Sequence, residues 1–161
     1  MTLAYVGLGS NLDDPQQQVT AAITALDELP STRLTRRSSL YRSAPWGLVD
    51  QPDFVNAVAE VDTELDASSL LAQLLELELR LGRRRDGLRW GPRRIDLDLL
   101  MHGDEATIST ELQLPHPRIG ERAFVLMPLA ELAPDLELAG IGVITERLRH
   151  IDTSQCSRIG Q

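Results

Sequence analysis

Short apolar runs and two kinds of periodicity organise this chain. Leu3 to Gly9 is a brief apolar run that ends in Gly9-Ser10-Asn11, and it predicts a buried strand. Asp13-Asp14-Pro15 then reads as a helix start, with the proline at a first-turn position. Val19, Ala22, Ile23, Leu26 and Leu29 keep helical spacing until Pro30 stops them. Residues 32–43 read as a second strand. Residues 44–53 hold Pro45, Gly47 and Pro52 and read as a loop. From Phe54 to Glu64 the pattern alternates. Val55, Ala57, Ala59 and Val61 share one face, and Phe54, Asn56 and Val58 share the other.

A second helix follows, capped by Asp66 or Ser68. It carries Leu70, Leu74, Leu77 and Leu81 on one stripe, with Gly82 as its stop. Glycines and a proline break the periodicity of 83–94. Ile95 to Met101 is again a strand, and residues 102–105 suit a hairpin turn. A loop runs through Pro115-His116-Pro117, then one or two short helices span about 122–132. Beyond them the pattern assigns no element. The order is β-α-β-β-α-β with a C-terminal extension. It predicts an α+β, ferredoxin-like fold: a mostly antiparallel sheet with helices packed on one side. Further elements would cover the other face. A chain of 161 residues is one domain's worth, and 1–161 is read as a single domain.

Charge changes the picture more than composition does. The net charge is −8, which argues against a nucleic-acid coat, and 42% hydrophobic residues suffice for a core. There is no lysine, so all 16 basic residues are arginine. Seven of them lie between Arg80 and Arg94, where the one acid is Asp86. That window carries a net +6 and the rest of the chain −14. The single Cys156 makes no internal disulfide and no zinc site. The N-terminal stretch lacks a basic region and a long apolar run, and no apolar run approaches a membrane span. A cytoplasmic protein is expected.

The chemistry begins at Asp96-Leu97-Asp98. On a strand, i and i+2 point the same way, so both carboxylates leave one face while Ile95, Leu97 and Leu99 leave the other. Paired carboxylates repel, and Mg²⁺ relieves this while holding substrate phosphates. A solvated strand face is the plain alternative. Guanidinium groups grip phosphate oxygens bidentately, and the arginine segment lies directly upstream of the aspartates. A metal-bound triphosphate held from both sides is the better reading, ahead of a solvated basic loop or an RNA contact. Glu78 sits at the edge of a leucine-rich helix face, either paired with an arginine such as Arg83 or Arg85 or exposed. His116 is fixed between prolines, as a structural residue or within reach of a phosphate. Phe54 and Phe124 are the only phenylalanines, and Phe54 shares a face with Asn56, whose amide reads a heterocycle's edge. Core packing is the plain alternative for each ring. Gly7 and Gly9 are a weak pair, since neither a Rossmann spacing nor a Walker A motif follows.

From about Ala4 to Leu136 the chain resembles the 6-hydroxymethyl-7,8-dihydropterin pyrophosphokinase (HPPK) family of folate biosynthesis. The stretches that carry the likeness are AYVGLGSNL, YRSAPWG, QPDFVNAV, LGRRR, RWGPRRIDLDLL, LPHPR, and the ER, AFVL and PLAE segments. RWGPRRIDLDLL is the most specific. The resemblance implies a single ferredoxin-like domain that transfers the β and γ phosphates of ATP to the pterin hydroxymethyl group, releasing AMP. It implies two Mg²⁺ ions held by Asp96 and Asp98. It implies that Arg83 and Arg93 assist the transfer. Glu78, Arg85, His116 and Arg122 would line the ATP site, with Arg89 and Trp90 on a closing loop. The pterin would stack between Phe54 and Phe124 and bond to Asn56, beside Ser43, Ala44 and Trp46. Phe54 stands where tyrosine is frequent, and Pro117 where some members have tyrosine. A monomer working on ATP and the pterin is expected, with no nucleic acid and no membrane. An RNA-binding ferredoxin-like module is the alternative of another class.

No residue has the setting of an activated nucleophile. The residues therefore favour direct in-line transfer, driven by positioning and charge neutralisation.

Overall fold

The structure, a computed structural model, describes residues 1–45, 50–82 and 95–160. Its centre is an antiparallel sheet whose strands are β1 (Thr2–Ser10), β2 (Thr32–Arg37), β3 (Tyr41–Ser43), β4 (Phe54–Thr63) and β5 (Asp96–His102). The two long connections are helices α1 (Pro15–Leu26) and α2 (Ala67–Arg80). β4 lies between β1 and the β2–β3 pair, and β5 lies outside β1. This is the expected split β-α-β arrangement, in which every neighbouring pair is antiparallel.

Local signals explain the elements. The Asp66 carboxylate accepts from the Ser69 N–H at 2.7 Å and starts α2. Gly82, at φ +98°, lets the chain leave it. Leu70, Leu74 and Leu77 are fully buried against the sheet face that carries Val6, Val55, Ala57, Leu97 and Leu99. Each such leucine stabilises the fold by about 1.5–3 kcal/mol.

The predicted strand over 32–43 is in fact two. At the break, the Ser38 N–H donates to the Val58 carbonyl, and the Ser38 hydroxyl accepts from the Val58 N–H, both at 2.9 Å. A side chain thus replaces a backbone acceptor in the ladder, which short hydroxyl residues do readily. The turn after β5 forms, yet it makes no hairpin with that strand. Instead β6 (Thr107–Ile108) pairs with β7 (Gln113–Leu114) in a separate ribbon.

The opposite sheet face is covered by C-terminal elements, of which the sequence pattern predicts the helix over about 122–132 and leaves the rest unassigned. A 3₁₀ turn (Ile119–Glu121) leads into α3 (Ala123–Leu132), which stays helical across Pro128. A ribbon of β8 (Glu137–Leu138) with β9 (Gly142–Val143) and the short α4 (Ile144–Leu148) follow. Leu126, Leu129 and Ile144 bury against Tyr5, Val58 and Leu100, giving a second core. Last, β10 (Cys156–Arg158) pairs with β3 and extends the sheet. Among the described residues, no helix is long and apolar enough to cross a membrane.

Candidate functional site

Register puts the chemistry on the α3 side of the sheet. Asp96 pairs with Gly9 and Asp98 with Gly7, while Leu97 and Leu99 turn into the core with α1 and α2. On the other flank of β1, Gly9 pairs with Asn56. Tyr41 and Ser43 pair with Asn56 and Phe54. Gly7 and Gly9 therefore floor a trough walled by Asp96, Asp98, Asn56, Phe54 and Ser43, with Phe124 and Val125 of α3 above it. In the sequence these glycines are a weak pair that belongs to no phosphate-binding motif. The i, i+2 parity that pairs the aspartates would have put them on one face too.

The floor has no room to spare. A Cβ on Gly9 would stand 3.1 Å from Asn56 Oδ1, and one on Gly7 would meet the Leu100 side chain at 3.4 Å. Asn56 cannot move freely, because its Nδ2 donates to Ser43 Oγ at 2.7 Å. That bond leaves Oδ1 as the amide's acceptor for a ligand. We expect Gly9→Ala to raise the KM for the heterocyclic substrate by at least about tenfold through misplacement of this amide, with little change in thermal stability. Titration of substrate into the variant checks this, and wild-type affinity would remove Gly9 from the site.

Two cavities meet here. One is the trough between Phe54 and Phe124. The other is lined by Leu71, Leu75, Glu78, Leu112, His116 and Pro117. Asp96, Asp98 and Arg122 line both. The Arg122 guanidinium lies 5.5 Å from the centre of the Phe124 ring. Its Nε is buried with no hydrogen-bond partner among the described residues. Burial pulls its pKa down, and Asp98 and Asp96 oppose that pull.

Glu78 is buried, so the exposed alternative is overturned. Its Oε2 accepts from the Leu97 N–H at 2.7 Å, on the outermost strand and between the two aspartates. His116 is held by its own N–H donating to the Leu100 carbonyl at 2.9 Å. That carbonyl is available because β5 bulges: Tyr5 pairs with Met101 and Val6 with Leu99, leaving Leu100 over. The Arg118 N–H donates to His116 Nδ1 at 3.2 Å, so the ring proton sits on Nε2. Burial, with Arg122 and Arg118 nearby, pushes the His116 pKa down to about 4 against the opposing pull of Asp96. The imidazole is neutral near pH 7 and presents Nε2–H as a donor.

The structure thus brings together Ser43, Ala44, Phe54, Asn56, Glu78, Asp96, Asp98, His116, Arg122 and Phe124. Trp46, Arg83, Arg85, Arg89, Trp90 and Arg93 lie outside the described residues. Among the described residues, no group of three or more carboxylate, imidazole or thiol side chains could hold a metal ion. Two half-buried aspartates over a glycine floor fit Mg²⁺, which draws its remaining ligands from phosphates and water.

A family model for 7,8-dihydro-6-hydroxymethylpterin-pyrophosphokinase matches residues 5–134. The chain belongs to the HPPK family. Members of the family transfer pyrophosphate from ATP to the pterin in folate biosynthesis, and membership assigns that transferase reaction to the chain. A 2-amino-4-hydroxy-6-hydroxymethyldihydropteridine pyrophosphokinase of Pseudomonas aeruginosa is 53% identical over 134 residues, covering 83% of this chain and 82% of the relative. The enzyme of that name in Methylorubrum extorquens is 45% identical over 159 residues, 99% of each chain. Among solved structures, the Plasmodium falciparum HPPK-DHPS chain with SDX-DHP superposes with a TM-score of 0.76 at 14% identity. That match covers 98% of this chain but 47% of the Plasmodium chain, and it speaks for the HPPK fold alone. The family's use of ATP is consistent with metal dependence. The family match supports phosphoryl chemistry over the RNA-binding alternative.

Proposed function

We propose that the trough between Phe54 and Phe124 takes the pterin, that the neighbouring cavity takes ATP, and that transfer occurs where the two meet. The observation that carries this is the sharing of Asp96, Asp98 and Arg122 by both cavities. A flat heterocycle stacks between the two rings, and Asn56 Oδ1 accepts an N–H from its edge. Ser43, Ala44 and Trp46 flank it. In the second cavity Leu71, Leu75 and Leu112 offer apolar wall to the base, and Glu78 borders it while holding the aspartate strand. His116 Nε2–H donates to a phosphate oxygen, and Arg122 offers its charge and an Nε–H with no partner among the described residues. Arg83 and Arg93 assist the transfer, Arg85 contacts ATP, and Arg89 and Trp90 close over it.

Asp96 and Asp98 are the residues that would hold Mg²⁺, two ions on this reading, which neutralise charge on the triphosphate. The protein's share is positioning, with both substrates brought within reach of one another and water kept out. A monomeric, cytoplasmic enzyme belongs to the same reading.

The test is to mix the protein with ATP, Mg²⁺ and 6-hydroxymethyl-7,8-dihydropterin and to identify both products. AMP and the pterin diphosphate are expected. ADP in place of AMP would overturn pyrophosphoryl transfer.

A further inference from the structure

The stretches YRSAPWG and PLAE carry the family likeness, yet Tyr41 and Glu131 within them have no part in the chemistry above. Neither is among the residues lining the two cavities described above. They meet each other instead. Glu131 lies on α3, seven residues beyond Phe124. Its Oε1 accepts from the Tyr41 hydroxyl at 2.8 Å and from the Ser39 N–H at 3.0 Å. Its Oε2 accepts from the Ser39 hydroxyl at 3.2 Å and faces an Arg158 guanidinium nitrogen at 2.9 Å. One carboxylate thus ties α3 to the residues around β3 and to β10.

Those elements carry the walls of the trough. α3 holds Phe124 in its first turn. β3 holds Ser43, which orients Asn56, and it pairs with β4 at Phe54. β10 backs β3, with Cys156 opposite Ser43 and the Ala44 N–H donating to the Gln155 carbonyl at 3.1 Å. The separation of the Phe54 and Phe124 walls therefore depends on how α3 is held over β3. Hydrogen bonds from Tyr41 and Ser39, with the charge of Arg158, hold Glu131 ionised against its own desolvation. Buried against that carboxylate, the Tyr41 hydroxyl is pushed up to about 12. It stays a donor at any working pH.

We propose that Glu131 is a positioning residue for the pterin, setting the width of the Phe54–Phe124 slot through Ser39, Tyr41 and Arg158. This rests on the reading of that slot as the pterin site. It also gives the C-terminal strand, which lies beyond the 5–134 family match, a part in substrate binding.

The experiment is steady-state kinetics in both substrates, with thermal unfolding alongside. Glu131→Ala should raise the KM for the pterin by on the order of tenfold while leaving the KM for ATP and the rate at saturating pterin close to wild type. Glu131→Gln keeps one acceptor oxygen and should fall between the two. Tyr41→Phe and Arg158→Ala each remove one contact, so they carry the test if Glu131→Ala does not fold, and each should raise the same KM by less. Phe54→Ala is the control for the slot. If it leaves the pterin KM unchanged, the slot reading is lost and this proposal with it. If Phe54→Ala raises that KM while Glu131→Gln, Tyr41→Phe and Arg158→Ala lower only the melting temperature, the positioning role alone is overturned.

Discussion

Asp96→Ala and Asp98→Ala should each lower turnover on the order of 10³-fold or more, with the fold intact. Both carboxylates stand on the cavity side of β5, opposite glycines and outside the two apolar cores. Neither supports packing, so circular dichroism should be unchanged and the melting temperature should shift by no more than a few degrees. What each variant loses is half of the site that would hold divalent cations on the triphosphate. A second readout separates this from loss of shape: binding of a non-hydrolysable ATP analogue should lose its dependence on Mg²⁺. Near-normal turnover in either variant would end the metal role of that residue.

Arg122→Ala should cost on the order of 10²-fold in kcat/KM and should leave the free protein as stable as before, or more so. The second half of that expectation is the unusual one. Arg122 is the N-cap residue of α3, at the positive end of the helix dipole, where a cation is disfavoured. It is also desolvated, and its Nε lacks a partner among the described residues. The nearby aspartates offset only part of this. A group held at such cost is one that a ligand satisfies, since a phosphate oxygen supplies both the acceptor and the counter-charge. Melting curves with and without nucleotide check it. The wild type should gain more from nucleotide than the variant does. A clear drop in the variant's own melting temperature, with kinetics unchanged, would make Arg122 a structural cation only.

Much of this arrangement is legible in the sequence. Strict alternation put Asp96 with Asp98 and Phe54 with Asn56, because a strand has only two faces. The leucine stripe of α2 is equally plain, and its cap is narrowed to Asp66 or Ser68, of which Asp66 serves. What escaped depended on contacts distant in sequence. Glu131 meets Ser39 across 92 residues, and Glu60 takes the Tyr5 hydroxyl across 55 at 2.7 Å. No local pattern encodes either. Glu60 also accepts from Arg36 and Thr35, and these partners, Arg36 foremost, hold its carboxyl down to about 2. It is a buried anion, on the strand face that also carries Phe54, Asn56 and Val58. The short C-terminal elements were lost for a different reason. Strands of two or three residues complete too few alternations to stand out as a pattern.

The bulge in β5 has one more consequence. Below Leu100 the strand keeps the aspartates in step with Gly7 and Gly9, and above it Met101 and His102 keep step with Tyr5 and Ala4. The surplus residue lets these two halves be registered independently, and its carbonyl anchors His116. Exchange of Leu100 for another large apolar side chain would therefore cost packing and little else. Loss of one residue from 99–101 would rewire which backbone group greets the loop at 115–117. Over this stretch, variation in length is constrained more tightly than variation in composition.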